Sequence, residues 1–394
     1  MLAATVRVTR DLDAAEEAVQ DAYVQALRTW PRDGVPDRPG AWLTTVARRI
    51  ALNAMRHRHT LETKLPLLLE PEDADMSEPA TDTIPDDRLR LIFTCCHPAL
   101  AQQAQIALTL RLVCGVATPD IAHAFLVTET TMAARLTRAK RKIATARIPY
   151  VVPSADALPA RVDAVLTIIH LLYAAGHTAH SGEDLVRDEL TGRALDLARM
   201  LRLLLPADRE AAGLLALLLV HDARRATRTD AQGRLLRLEE QDRSAWDRER
   251  IAEADRLVVA ALRAGPPGRF TLQAAIAALH AQAPSYAETD WPQILTLYDA
   301  LLRIWPSPVV ALNRAVAVSM VDGPQDALAE VEALERDGRL AGYRYLPATK
   351  AELLHRLGRD AEAVDAYQAA LALSENAAEQ EFLAERVRSA GPTS

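Results

Sequence analysis

The stretch ETTMAARLTRAKRKI, residues 129–143, carries five cations (Arg135, Arg138, Lys140, Arg141 and Lys142) in a chain of 394 residues whose formal charge is −7. Ala, Leu, Lys and Arg lose little side-chain freedom in a helix, so the stretch reads as one. Met132, Leu136, Ala139 and Ile143 then form an apolar stripe at i, i+4, i+7, i+11 spacing. Thr131, Arg135, Arg138 and Lys142 form a second stripe beside it. One face packs on a core while its neighbour offers a hydroxyl and cations. Upstream, TPDIAHAFL (118–126) reads as a second helix, with Thr118 as N-cap, Pro119 at the first position and Asp120 in the first turn. Ile121, Ala122 and Phe125 give it an apolar face, and Thr128, after a Val127-Thr128 turn, can cap the basic helix. Two helices joined so closely, the second one basic, suit a helix-turn-helix that enters the DNA major groove. The bland alternative is a helical hairpin with a solvated cationic face.

Composition sets the frame. The length allows two or three domains. Aromatics at 4% and only 15 glycines, beside abundant Ala and Leu, favour an all-α fold. Three cysteines, Cys95, Cys96 and Cys114, cannot build a disulfide framework, which points to a reducing, cytoplasmic setting. No apolar run is expected to reach the ~18 residues of a membrane span. No export signal follows Met1, so no membrane partner is expected.

The chain divides into parts. Residues 1–58 read as helices broken by PRDGVPDRPG (31–40). On the first helix Ala15, Val19, Ala22, Ala26 and Trp30 share a face, with Asp13, Glu16, Glu17 and Asp21 off it. On the next, AWLTTVARRIALNAMRHR (41–58), Trp42, Leu43, Val46, Ala47, Ile50 and Ala54 lie on one arc, and Arg48, Arg49, Asn53 and Arg56 opposite. An acidic surface beside a basic one suggests two macromolecular partners. Residues 70–87 hold eight carboxylates and no Lys or Arg, so 61–87 reads as an acidic linker. Helical pattern resumes at Arg88 and runs to about Arg147. After PYVVPSADALP (149–159) a long helical region is expected to fill the rest.

These residues carry a resemblance. DLDAAEEAVQDAYVQAL followed by PGAWLTTVARRIALNAMRHR resembles region 2 of extracytoplasmic-function (ECF) sigma factors of the sigma-70 family. ALTLRLVCGVATPDIAHAFLVTETTMAARLTRAKRKI (107–143) resembles their region 4. The remainder is similar to the subgroup with a long C-terminal extension of tetratricopeptide type. HDARR (221–225), LEEQDRSAWD (238–247), LQAAIAALHA (272–281), SPVVALNRAVAV (307–318) and the Asp322-Gly323-Pro324 motif in VDGP are similar to stretches of that subgroup.

The resemblance implies a bacterial transcription initiation factor, not an enzyme, with no cofactor. It implies region 2 at 1–60, the linker at 61–87, region 4 at 88–150 and a helical extension at 155–394, tetratricopeptide-like from about 290. Glu16, Glu17, Gln20 and Asp21 match the positions that dock on the β′ clamp helices of core RNA polymerase; region 4 would meet the β flap. Arg48, Arg49, Asn53 and Arg56 match those that hold the melted −10 strand, where cations take phosphates and Asn53 reads an extruded base. Thr130, Thr131 and Arg135 would lie near base edges of the −35 element, and Arg138, Lys140, Arg141 and Lys142 on phosphates. Two departures stand out. About a dozen residues precede DAAEEA where region 2 opens with a longer helix, so either the true start lies farther upstream or the first helix is trimmed and docks on core more weakly. Arg49 also stands where many relatives have Asn.

In the extension, Gly323 and Gly358 lie 35 residues apart, each before an Ala-rich helical segment, close to the ~34-residue tetratricopeptide period. GRDAEAVDAYQAALAL matches one such repeat, and stacked hairpins of this kind offer a concave surface to a protein or peptide partner. For Gly323 and Pro324 a purely structural role, ending one helix and starting the next, is favoured over a contact to polymerase. Two other readings compete. A ligand-sensing helix-turn-helix regulator would have no use for the acidic helix. A metal-dependent hydrolase would rest on His221-Asp222 with His170, His177 and His180, but no glycine-rich phosphate loop or GxSxG element accompanies them. Cys95-Cys96-His97 reads as core packing, because adjacent ligands on a helix cannot converge on one metal.

Overall fold

The computed structural model describes residues 1–64, 87–125, 127–177, 181–182, 188–230 and 232–390. The fold is all-α. Its chain forms two compact units, 1–168 and 169–394.

The first unit opens with α1 (Leu2–Thr9), α2 (Leu12–Asp33) and α3 (Pro39–Lys64). Asp11 caps α2, its Oδ1 accepting from the amides of Asp13 at 2.9 Å and Ala14 at 3.0 Å. The buried face of α2 is Leu12, Ala15, Ala18, Ala22 and Ala26. These small side chains let α3 approach with Leu43, Val46, Ala47 and Ala51. Trp30 and Trp42 close the end of this core edge-to-face, ring centroids 5.5 Å apart. Two details differ from the sequence pattern. Pro31 does not end α2, which continues to Asp33 and stops at Gly34 (φ +82°). Ala54 is exposed and Ala51 takes the core position, because the buried arc of α3 is narrower than the apolar residues suggest.

Then come α4 (Asp87–Cys95), α5 (Gln102–Leu108), a π-helical turn Thr109–Val113, α6 (Thr118–Ala124) and α7 (Glu129–Thr145). Helix α4 is central: Leu89, Leu91, Ile92, Phe93 and Cys95 are all buried. Burial pushes the Cys95 thiol up, and that of Cys96 to about 11, so both behave as core groups. The hydroxyl of Tyr150 is shared between the carbonyls of Ala3 (2.8 Å) and Asp87 (2.7 Å), joining α1 to α4. Apart from Asp87 on α4 and the end of α3, the acidic linker lies outside the described residues.

The unit boundary falls in α8 (Leu158–His177). Contrary to expectation, α8 is long and apolar enough by composition to cross a membrane. Its Val165, Leu166, Ile168, Ile169, Leu172 and Tyr173 are instead buried against protein. In the second unit follow α9 (Asp188–Leu204), α10 (Arg209–Ala223), α11 (Arg248–Arg263) and α12 (Arg269–Gln282). Helix α10 is buried on every side from Ala211 to Val220, which makes it the centre that α9, α11 and α12 surround. Glu210 binds α12 to it: Oε2 accepts from Phe270 N at 2.7 Å, and Oε1 from Thr271 N at 3.2 Å and Thr271 Oγ1 at 2.6 Å. Residues 224–230 and 232–247 interrupt the expected helical region with an irregular segment. It is pinned by the buried Trp246, whose Nε1 donates to Thr227 Oγ1 at 2.9 Å, and by Asp247, which caps α11.

Next, α13 (Trp291–Ile304), α14 (Pro308–Val321), α15 (Pro324–Asp337), α16 (Tyr345–Arg356), α17 (Asp360–Ala372) and α18 (Ala377–Ala390) each pack on the helix before. Arg314 on α14 clips its neighbours together, reaching Asp299 of α13 at 2.7 Å and Glu330 of α15 at 2.5 Å. Gly323 (φ +104°) lies in the α14–α15 turn and Gly358 (φ +72°) in the α16–α17 turn, both with positive φ that a side chain would strain. A short parallel bridge pairs Ser181–Gly182 with Glu375–Asn376.

Two tests follow from this packing. A Cβ on Gly213 of α10 would meet the Thr271 backbone nitrogen at 2.6 Å. Gly213→Ala should therefore cost about 1–3 kcal/mol in urea denaturation, since neither backbone can yield cheaply. Burial, with nearby arginines, holds the imidazoles of His170 and His280 down to about 4. In the unfolded chain they titrate near 6.5, so between pH 6.5 and 4 the unfolded state binds more protons and stability falls as pH falls. His170→Phe, which keeps ring packing on Phe270, should reduce that slope by up to about 1.4 kcal/mol per pH unit.

Candidate nucleic-acid interface

Helices α6 and α7 form the expected helix-turn-helix. Thr128 caps α7, its Oγ1 accepting from Thr131 N at 3.2 Å and lying 2.8 Å from the Thr131 hydroxyl. Met132, Leu136, Ala139 and Ile143 are the buried face of α7, and Ile121 and Ala122 that of α6. Thr130, Thr131, Arg138, Arg141 and Lys142 are exposed. Arg135 is half-buried, with its guanidinium 5.6 Å from the Phe125 ring centroid and one Nη buried without a hydrogen-bond partner. Stacking of this kind orients a fork of donors in advance.

Lys140 departs from the expected DNA-facing set. Its ammonium donates to Glu16 Oε2 at 2.9 Å and to Asp13, both on α2. Arg111 adds a second cation, 3.2 Å from Glu16 Oε1. The reason is position: Lys140 follows Ala139 around the helix to the border of its buried face, where α2 comes within reach. Burial alone would lower the Lys140 pKa, but the two carboxylates outweigh it and raise the value. Lys140 and Glu16 are only 16% and 15% exposed, so this contact lies nearer the ~1.5–3 kcal/mol of charged hydrogen bonds than the ~0.2–1 of surface pairs. Asp13, 70% exposed, belongs with the surface pairs.

The α2 residues singled out from sequence thus divide. Glu16, Glu17 and Gln20 line a cleft of about 310 Å³ that Arg111, Thr137 and Lys140 close from the other side, and Asp21 is exposed outside it. Farther along α2, Tyr23, Val24 and Leu27 are exposed, Leu27 by 76%. The sequence reading missed this apolar continuation, although three large apolar residues off the alanine face were a visible signal.

On α3, Arg48, Arg49, Asn53 and Arg56 are exposed together and, with Thr45 and Leu52, line a depression of about 310 Å³. That volume is at the lower end for ligand pockets. Donor-rich, with no carboxylate among its described lining residues, it suits a phosphate-bearing strand with a base turned inward.

The second unit has a larger cleft of about 620 Å³. Tyr286, Met320, Leu353, Tyr367 and Phe382 give it apolar walls, with Arg237 and Glu352 paired at 3.3 Å on its lining. Asp322 is exposed at the C-terminus of α14, and Pro324 begins α15, as the structural reading of that motif requires. His221-Asp222 is not arranged for hydrolysis: the Asp222 carboxylate is turned to Arg225 and Arg250. Among the described residues no group of His, Cys, Asp and Glu is placed to hold a metal, and His180 lies outside them.

A helix-turn-helix with an exposed basic helix, beside a three-helix unit with one acidic and one basic face, defines a DNA-binding protein built to meet a second macromolecule. Comparison with known proteins agrees: residues 2–60 match Sigma-70 region 2 and residues 90–143 match Sigma-70 region 4. The chain belongs to the sigma-70 family of sigma factors, which bind RNA polymerase and recognise promoters to initiate transcription. Residues 161–262 match a family of unknown function (DUF6596). An uncharacterized protein of Rhizobium meliloti (strain 1021) is 45% identical over 390 residues, covering 97% of this chain and 91% of that protein.

Reversing the charge of Lys140 should part α2 from α7. Spin labels on exposed positions, at Arg28→Cys and Ala144→Cys, should report a longer and broader distance distribution in Lys140→Glu than in the Lys140 background. An unchanged distribution would show that apolar packing, not charge, sets the contact.

Proposed function

We propose that the chain is an ECF-type sigma factor whose C-terminal helical unit modulates its activity. Glu16, Glu17, Gln20 and Asp21 dock α2 on the β′ clamp helices of core polymerase, region 4 meets the β flap, and exposed Tyr23 and Leu27 extend the docking surface. Carboxylates steer the encounter and desolvated apolar side chains supply much of the affinity. The depression on α3 takes the melted −10 strand, with Arg48, Arg49 and Arg56 on phosphates and Asn53 on the edge of an extruded base. Helix α7 enters the −35 major groove, Thr130, Thr131 and Arg135 near base edges and Arg138, Arg141 and Lys142 on phosphates. Lys140 is left to α2. The stacked hairpins α13–α18 are of tetratricopeptide type, and their cleft takes a protein or peptide partner.

One observation carries this reading: beyond Asp13 and Glu16, which Lys140 and Arg111 engage, α2 exposes Glu17, Gln20 and Asp21, while α3 and α7 expose basic faces in the same unit. The internal pairing with Lys140 and Arg111 accounts for Asp13 and Glu16, and a second macromolecular partner accounts for the exposed Glu17 and Asp21.

Run-off transcription with purified core polymerase tests the reading. Glu17→Lys should weaken binding to core about tenfold. Asn53→Ala should bind core normally and form fewer open complexes. Arg141→Ala should weaken promoter binding at all sequences and reduce its salt slope by about one. A chain ending at Pro159 should transcribe with altered activity. Failure of the full-length protein to associate with core overturns the proposal.

A further inference from the structure

One place in the second unit gathers hydrogen-bond donors and cations with few acceptors. On the last turns of α8, Tyr173 and His177 stack with ring centroids 5.3 Å apart. His177 meets His221, near the end of α10, at 5.4 Å. Arg224 caps α10, and its Nη2 lies 3.1 Å from His221 Nδ1. A guanidinium only donates, so Nδ1 is the acceptor and the ring proton of His221 sits on Nε2, a further donor. The same guanidinium lies 5.7 Å from the Trp246 ring centroid. Arg228 donates to the backbone carbonyl of His177.

Among the described residues, the nearby carboxylates of Asp222 and Asp188 are paired with other arginines, although Asp222 Oδ1 makes no hydrogen bond. Asp222 faces Arg225 at 3.4 Å and also Arg250, and Asp188 faces Arg225 at 3.2 Å. Among the described residues Arg224 meets no carboxylate, and its Nε is buried without a partner, as are the Tyr173 hydroxyl and His177 Nδ1. Each unmade buried hydrogen bond leaves the desolvation of its polar group uncompensated. Burial, reinforced by Arg224, Arg225 and Arg228, holds the His177 imidazole down to about 2. Burial and Arg228 push the Arg224 guanidinium down to about 10. Burial opposes a charge of either sign, but the share that the neighbouring arginines add is a positive field, which resists a metal cation and favours an anion.

We propose that Tyr173, His177, His221 and Arg224 form a binding site for the oxyanion group, phosphate or carboxylate, of a small-molecule ligand. The anion supplies the acceptors that these donors lack, and the guanidinium fork presents two parallel donors to it. The site is independent of polymerase and promoter binding, so it stands or falls apart from the role in transcription.

The test uses the full-length protein with inorganic phosphate or acetate, at constant ionic strength set by NaCl, read by calorimetric titration and thermal unfolding. Saturable binding with a rise in Tm is expected for at least one anion, and the preferred one identifies the group. Arg224→Gln should weaken binding at least tenfold, with Arg224→Lys intermediate. Tyr173→Phe removes only a hydroxyl without a partner, so it should fold normally and bind several-fold more weakly. It keeps the test decisive should Arg224→Gln not fold. Arg256→Gln, on the exposed side of α11, should bind as the unaltered protein does. No saturable binding of either anion overturns the proposal. So does equal binding by Tyr173→Phe and the unaltered protein, which would mean adventitious ions only.

Discussion

The carboxylate of Glu16, held between Lys140 and Arg111, joins the acidic helix α2 to the helix-turn-helix and is the charged link between the two on which the division of surfaces in the first unit turns. Cations with different duties lie on one short helix. Arg138, Arg141 and Lys142 face outward, whereas Lys140, one residue past the buried Ala139, turns to α2. The helical repeat of 3.6 residues makes this division, because adjacent residues point about 100° apart. On the proposed function the same Glu16 serves polymerase, so docking exchanges an internal partner for an external one. Such an exchange is nearly neutral in charge and is set by geometry and solvent exposure.

A different constraint governs the second unit. Helix α10 has no solvent face, so its neighbours must close round it, and two contacts show how tightly they do so: Gly213 against the Thr271 backbone and Glu210 over the N-terminus of α12. From α13 onward each helix rests on its predecessor, with glycines of positive φ in the turns at 323 and 358. The stretches HDARR and LEEQDRSAWD meet around Trp246, where Arg224 and Arg243 both lie over the indole ring. Their side chains hold an irregular segment in place, and among the described residues none of them belongs to a group that could hold a metal.

Much of this was legible in the residues because helices write their packing at a fixed period. The stripe Met132, Leu136, Ala139 and Ile143 is the buried face of α7, and the alanines of α2 are its core face. The exposed set Arg48, Arg49, Asn53 and Arg56 also follows from a wheel. Misreadings came where a residue type outweighed its surroundings. Pro31 suggested a break but stands in the last turn of a helix that ends at Gly34. Ala54 looked like core, but alanine is small enough to sit on either face. Residues 224–247 looked helical by composition, yet Trp246 and Asp247 fix an irregular path.

The sequence by itself determined the all-α class, the helix-turn-helix, the faces of α2, α3 and α7, and the turns at Gly323 and Gly358. Each is a matter of local propensity and periodicity, which neighbouring residues settle among themselves. Only the tertiary structure decided that Lys140 belongs with Glu16, that α8 is spent on burial, and that Tyr173, His177, His221 and Arg224 meet in one place. Those pairings join residues tens to more than a hundred positions apart, and no spacing along the chain encodes a distance that packing alone creates.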